Sequence, residues 1–86
     1  MPTISRFFGI VIRMHYEEHP PPHFHAHYAE NDAAIYIDSL EVREGFLPKR
    51  VLAMVLEWAF QHREELRGNW RRAEQQQPLN KIEPLE

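Results

Sequence analysis

The sequence has no cysteine, only three glycines in 86 residues, and no apolar run long enough to cross a membrane. Without cysteine there is no disulfide and no thiolate zinc site, and nothing points to an oxidising compartment. A spanning helix needs about 20 consecutive apolar residues, and the opening MPTISRFFG lacks the charged start and long apolar run of a secretory leader. A cytoplasmic location, with no membrane partner, is the expectation. Charge of one sign is also scarce: ten Lys and Arg face thirteen Asp and Glu, a formal charge of −3. The molecule as a whole therefore repels phosphate chains, and RNA contact would need a local basic patch. A chain this short buries only about 60–65% of its unfolded surface, which predicts one domain, 1–86, with one core.

What is present is alternation followed by helical periodicity. From Ile10 to Tyr16 the residues IVIRMHY place Ile10, Ile12, Met14 and Tyr16 on one face and Val11, Arg13 and His15 on the other, the period of a strand. A lead-in strand over Thr3 to Arg6 precedes it, with Gly9 at the bend. Pro20, Pro21 and Pro22 lack N–H donors and fix φ, so they form a stiff loop. Alternation resumes in HFHAHY, with Phe24, Ala26 and Tyr28 on one side and His23, His25 and His27 on the other. A turn at Glu30-Asn31-Asp32 leads into AAIYID, with Ala33, Ile35 and Ile37 inward; Leu40 to Phe46 reads as a weaker edge strand ended by Gly45.

Pro48 suits a first helical position, where its missing N–H costs nothing. Val51, Val55, Trp58, Ala59, His62, Leu66 and Trp70 then recur at three- and four-residue steps. The expected architecture is α+β: an antiparallel meander of three to five strands (about 3–46) against one long C-terminal helix (about 48–75), kinked near Gly68, with an extended tail over 78–86. Trp58, Trp70 and His62 belong to the core stripe.

The chemically distinctive feature is the histidine face. Neighbouring histidines of HFHAHY stand roughly 6.5–7 Å apart, from a rise of about 3.3 Å per residue, so two can share an ion. Inward residues of adjacent strands lie on one sheet face, so pairing Tyr16 with Phe24 sets His15 opposite His25. Pairing Tyr28 with Ala33 sets His23 opposite Asp38 and His25 opposite Tyr36. The outer face then gathers Arg13, His15, His23, His25, His27, Tyr36 and Asp38. Imidazoles with a carboxylate suit a transition metal such as zinc or nickel, with His23 and His25 as ligands and His15, His27 or Asp38 as additions. Equally, His23 and His25 could serve as general acid and base on an RNA phosphodiester, with Arg13 on the phosphate and Asp38 as orienting carboxylate. The plain alternative is a solvent-facing strand whose polar residues happen to be histidine.

On the helix face opposite the stripe, Leu56, Phe60, Arg63 and Arg67 mix apolar and basic groups where solvent should be, which marks a partner surface or a solvated basic edge.

The segments MPTISRFFGIVIRMHY, PPHFHAHY, LPKRVLAMVLEWAFQHREEL, NW and KIEPL resemble the prokaryotic DUF4160 family over essentially the whole chain, most specifically in PPHFHA and KIEPL. Pro21, Pro22, His23, Phe24, His25 and Ala26 match its motif, and Trp58, His62, Glu65, Leu66, Asn69 and Trp70 its helix. Members resemble components of two-gene operons of toxin–antitoxin type. The resemblance therefore implies a small protein partner from a neighbouring gene, or a second copy, and leaves open whether the chain is an enzyme.

Overall fold

Two successive residues of positive φ, Phe8 (50°) and Gly9 (79°), reverse the chain between β1 (Thr3–Phe7) and β2 (Ile10–Arg13), the geometry that matches strand twist in a two-residue hairpin. The structure is a computed structural model that describes residues 2–86. β3 (His23–Tyr28), β4 (Asn31–Tyr36) and β5 (Val42–Gly45) complete a five-stranded antiparallel sheet in sequence order. Its inner face carries Ile10, Ile12, Phe24, Ala26, Ala33 and Ile35, all buried. Trp58 lies beneath them, with ring centroids 5.4 Å from Phe7 and 5.9 Å from Phe24. Burying an aromatic of that size is worth ~5 kcal/mol as an upper bound. That is a large share of the roughly 5–15 kcal/mol net stability of a small domain.

The expected meander and alternation hold, but both central registers slip by two residues. Arg13, not His15, pairs with His25; His23 pairs with Tyr36, and Tyr28 with Asn31. Between β3 and β4 the cause is a tighter turn than Glu30-Asn31-Asp32: Ala29 takes φ 55°, so Ala29-Glu30 closes the hairpin. A slip of two preserves which face each side chain occupies, so Arg13, His15, His25 and His27 do share the outer face. Asp38 does not join them.

The helical segment is divided where none was expected. α1 (Lys49–Gln61) and α2 (Arg63–Glu74) meet at His62, whose φ and ψ are −116° and 25°, while Gly68 sits inside regular α2. The apolar stripe passes through the break in phase: Val55, Trp58 and Ala59 are buried on one side of it, Leu66, Asn69 and Trp70 on the other. Just beyond it, Arg63 Nε donates to the Ile37 carbonyl at 3.1 Å and Arg67 Nε to Asp38 Oδ1 at 2.9 Å, tying α2 to the end of β4. No described helix is long and apolar enough to cross a membrane.

The tail is extended, as expected, and fixed by specific bonds. Buried Asn69 donates to the Asn80 carbonyl (2.9 Å) and accepts from its N–H (2.8 Å); Trp58 Nε1 donates to the Glu83 carbonyl (2.8 Å). Ile82 is buried and its N–H reaches the Ile4 carbonyl at 2.8 Å, so the tail covers the β1 edge.

Two glycines test this fold in opposite directions. A Cβ on Gly45 (φ 90°) would stand 2.1 Å from the Asp32 carbonyl oxygen and 2.8 Å from Ala33 Cα, whereas at Gly68 the nearest atom is the Arg71 guanidinium at 3.9 Å. Gly45→Ala should cost at least about 2 kcal/mol, and Gly68→Ala should add about 0.5–1 kcal/mol, both read by thermal denaturation. A destabilised Gly68→Ala would place a functional kink at Gly68 after all.

Candidate functional site

His15 lies two residues beyond β2, Glu18 in the loop that follows, and His25 in mid-β3; these three bring their ligating atoms within 4.8 Å of one another. His25 Nε2 donates to Glu18 Oε1 at 2.6 Å, and the His15 and His25 rings meet edge to face with centroids 4.1 Å apart. All three side chains are half-buried. The cluster borders two spaces. One is a cleft of about 360 Å³ whose walls include His15, Glu17, Glu18, Trp70 and Glu74; the other is a groove of about 250 Å³ on the outer sheet face, reaching Arg13, His27 and Asp32.

His23 does something different from its neighbours. It is 1% exposed, and both ring nitrogens are engaged. Nδ1 donates to the Pro21 carbonyl at 2.9 Å, and Arg43 Nη1 lies against the ring, 3.1 Å from Nε2 and 3.4 Å from Nδ1. The Trp70 ring packs against it at a centroid distance of 5.3 Å. A buried polar ring is tolerated only when its hydrogen bonds are met, and here they are. His23 thus pins the proline loop to the sheet end and stands behind Glu18, whose Oε1 is 3.5 Å from Nε2. At that distance it makes no hydrogen bond to Glu18, and it is not among the three clustered donors.

The remaining candidates are dispersed. His27 is held by Asp32, Nδ1 to Oδ1 2.8 Å. Asp38 is committed to Arg67, 2.8 Å from Nη2, on the far side of the sheet end. Arg67 also contacts Glu64. Arg13 has no carboxylate partner among the described residues, and it faces His25 across the strand pair. Leu56 packs partly against the core, Arg63 is drawn to Ile37, and Phe60 is left 67% exposed with the Arg63 guanidinium 5.4 Å over its ring. His62, half-buried at the edge of the core, lies tilted against Trp58 with centroids 5.7 Å apart, and Nδ1 donates to Glu65 at 2.6 Å.

Sequence reasoning passed over Glu18, treating it as loop; the available signal was a carboxylate three residues after His15 and directly ahead of the rigid prolines. It also passed over Arg43, for which an exposed edge strand gives no hint.

The cluster perturbs its own protonation. Burial first, and then the adjacent His25, hold the His15 pKa below its ordinary 6.5. For Glu18 burial acts to raise the pKa, but the His25 hydrogen bond and the nearby His25, His23 and His15 together outweigh it, leaving it below 4.5.

A donor set of two imidazoles and one carboxylate fits zinc or nickel, and a tetrahedral zinc would separate adjacent donors by about 3.3 Å, so the 2.6 Å contact must open and any pair near 4.8 Å must close. Three protein ligands leave a coordination position for water or a ligand.

A family model described as Domain of unknown function (DUF4160) matches residues 9–71. No curated protein and no solved structure matches the chain.

The two lowered pKa values set a pH dependence with one sign. Stability contributed by His15 is complete above pH 6.5 and lost as pH falls through its lowered folded value; Glu18 adds a second loss beginning below 4.5. In chelator, wild-type Tm should fall between pH 7 and 5, and His15→Gln should flatten that interval alone. Parallel wild-type and variant profiles would contradict the burial described for His15.

Proposed function

The chain belongs to the DUF4160 family, and we propose that it is a transition-metal-binding protein whose ion, zinc or nickel, is held by His15, Glu18 and His25 with one coordination position open. The observation carrying this reading is the convergence of two imidazoles and a carboxylate from two chain segments, the β2–β3 connection with His15 and Glu18 and β3 with His25. The ion would act as a Lewis acid and lower the pKa of bound water. Glu17, Glu18 and Glu74 give the cleft an acidic wall, which disfavours the alternative of an RNA phosphate chain lying in it.

Calorimetric titration of the untagged chain with zinc and with nickel should give one saturable site. His15→Ala and His25→Ala should each weaken it by at least about tenfold, more than His27→Ala does. Equal uptake by wild type and His25→Ala would place the ion elsewhere.

A second reading, of a partner-binding component of a two-gene operon, is favoured by Phe60, the most exposed of the large apolar side chains. Its ring is preorganised under Arg63, and aromatic and Arg groups dominate interface hot spots. Because Arg63 also serves the fold through Ile37, the informative variant is Phe60→Ser alone. It should leave Tm within about 2 °C while weakening assembly with the neighbouring gene product or a second copy by about 2 kcal/mol, read by sedimentation. Unchanged assembly would exclude this face.

A further inference from the structure

We propose that Arg13 and the ion held by His15, Glu18 and His25 form a two-point site for a small oxyanion, the carboxylate or phosphate of an organic molecule, seated in the groove on the outer sheet face. This rests on the metal reading above and adds the class of ligand that the open position takes.

The groove is about 250 Å³ and is lined by Val11, Arg13, His15, His25, His27 and Asp32. Arg13 is directly opposite His25 in the β2–β3 register, where paired Cβ atoms stand roughly 4.5–5.5 Å apart, and its charge is felt at His15. The two nearest carboxylates are already engaged, Asp32 by His27 and Glu18 by His25. Arg13, a half-buried residue, therefore sits beside a cluster suited to a dication, and Asp32, on the same groove, is turned to His27. On its own that placement opposes metal binding, since like charges repel in a poorly solvated groove. An oxyanion between them turns both repulsions into attractions. The planar guanidinium fork matches carboxylate and phosphate alike, and the open metal position accepts the second oxygen.

Size and surroundings restrict the remainder of the ligand. Val11 supplies an apolar wall, and beyond the cluster the chain meets Glu17 and Glu74. A single anionic head on a short neutral body fits this layout, and a polyanion does not.

The test uses the untagged full chain, with zinc affinity measured by calorimetry in a non-coordinating buffer, alone and with phenyl phosphate or benzoate. Because coupling is reciprocal, the anion that fits should tighten zinc by about tenfold. Arg13→Gln should bind zinc without anion at least as well as wild type and lose the enhancement. Arg13→Lys, which keeps the charge but not the fork, should retain part of it. Enhancement by phenyl phosphate alone identifies a phosphate ligand, and by benzoate alone a carboxylate; either supports the proposal. Enhancement that persists in Arg13→Gln, or none in wild type with either anion, overturns it. Failure of wild type to bind zinc in the anion-free arm overturns the metal reading, and this inference with it.

Discussion

The site depends on the burial of one imidazole. His23 is removed from water at the end of the sheet, and the cost of that burial is met by the Pro21 carbonyl and the Arg43 guanidinium. Those bonds join a proline-stiffened loop, the start of β3 and the edge strand β5, with Trp70 of α2 packed against the ring. Glu18 is held where it is because the loop carrying it is anchored in this way. β3 then sets His25, and the segment just beyond β2 sets His15, so the three donors converge with little freedom left to lose.

The helices and tail protect the same end of the molecule. The break at His62 lets α2 follow its ties to Ile37 and Asp38 without moving the apolar stripe off the core. Asn69 and Trp58 hold the tail by its backbone, so the tail depends on side-chain geometry at those positions more than on its own sequence. Ile82 is the exception, since it contributes a buried side chain and closes one sheet edge. The opposite edge, β5, remains open and is short and charged, features that discourage pairing with another chain.

Much of this was legible in the residues. Period-2 alternation in IVIRMHY and HFHAHY identified the strands and assigned each side chain to a face, because face depends only on parity. Register depends on turn length, and nothing in the sequence signals that Ala29 adopts positive φ; the resulting slip of two residues moved Asp38 away from His23, and a separate slip of two across the β2–β3 connection put Arg13 beside His25. The break, expected near Gly68 because glycine is the weakest helix former after proline, falls at His62 instead, beside tertiary bonds of Arg63 and Arg67 that local propensity does not contain. Within the site, His15 and His25 were readable from spacing, and Glu18 was not, since a loop residue has no periodicity. His23 was read as a ligand from its strand position, which cannot reveal that its ring is buried against the Pro21 carbonyl and Arg43.

The central claim is that His15, Glu18 and His25 are a metal site and not simply a polar face, as the acid–base and solvent-face readings would have it. Anomalous diffraction from zinc-soaked crystals of the untagged chain tests it most directly. The account predicts one strong peak about 2.0–2.2 Å from an imidazole nitrogen of His15, an imidazole nitrogen of His25 and a Glu18 oxygen. A peak at His27 and Asp32 or at His62 and Glu65 instead, or none at saturating zinc, would contradict it.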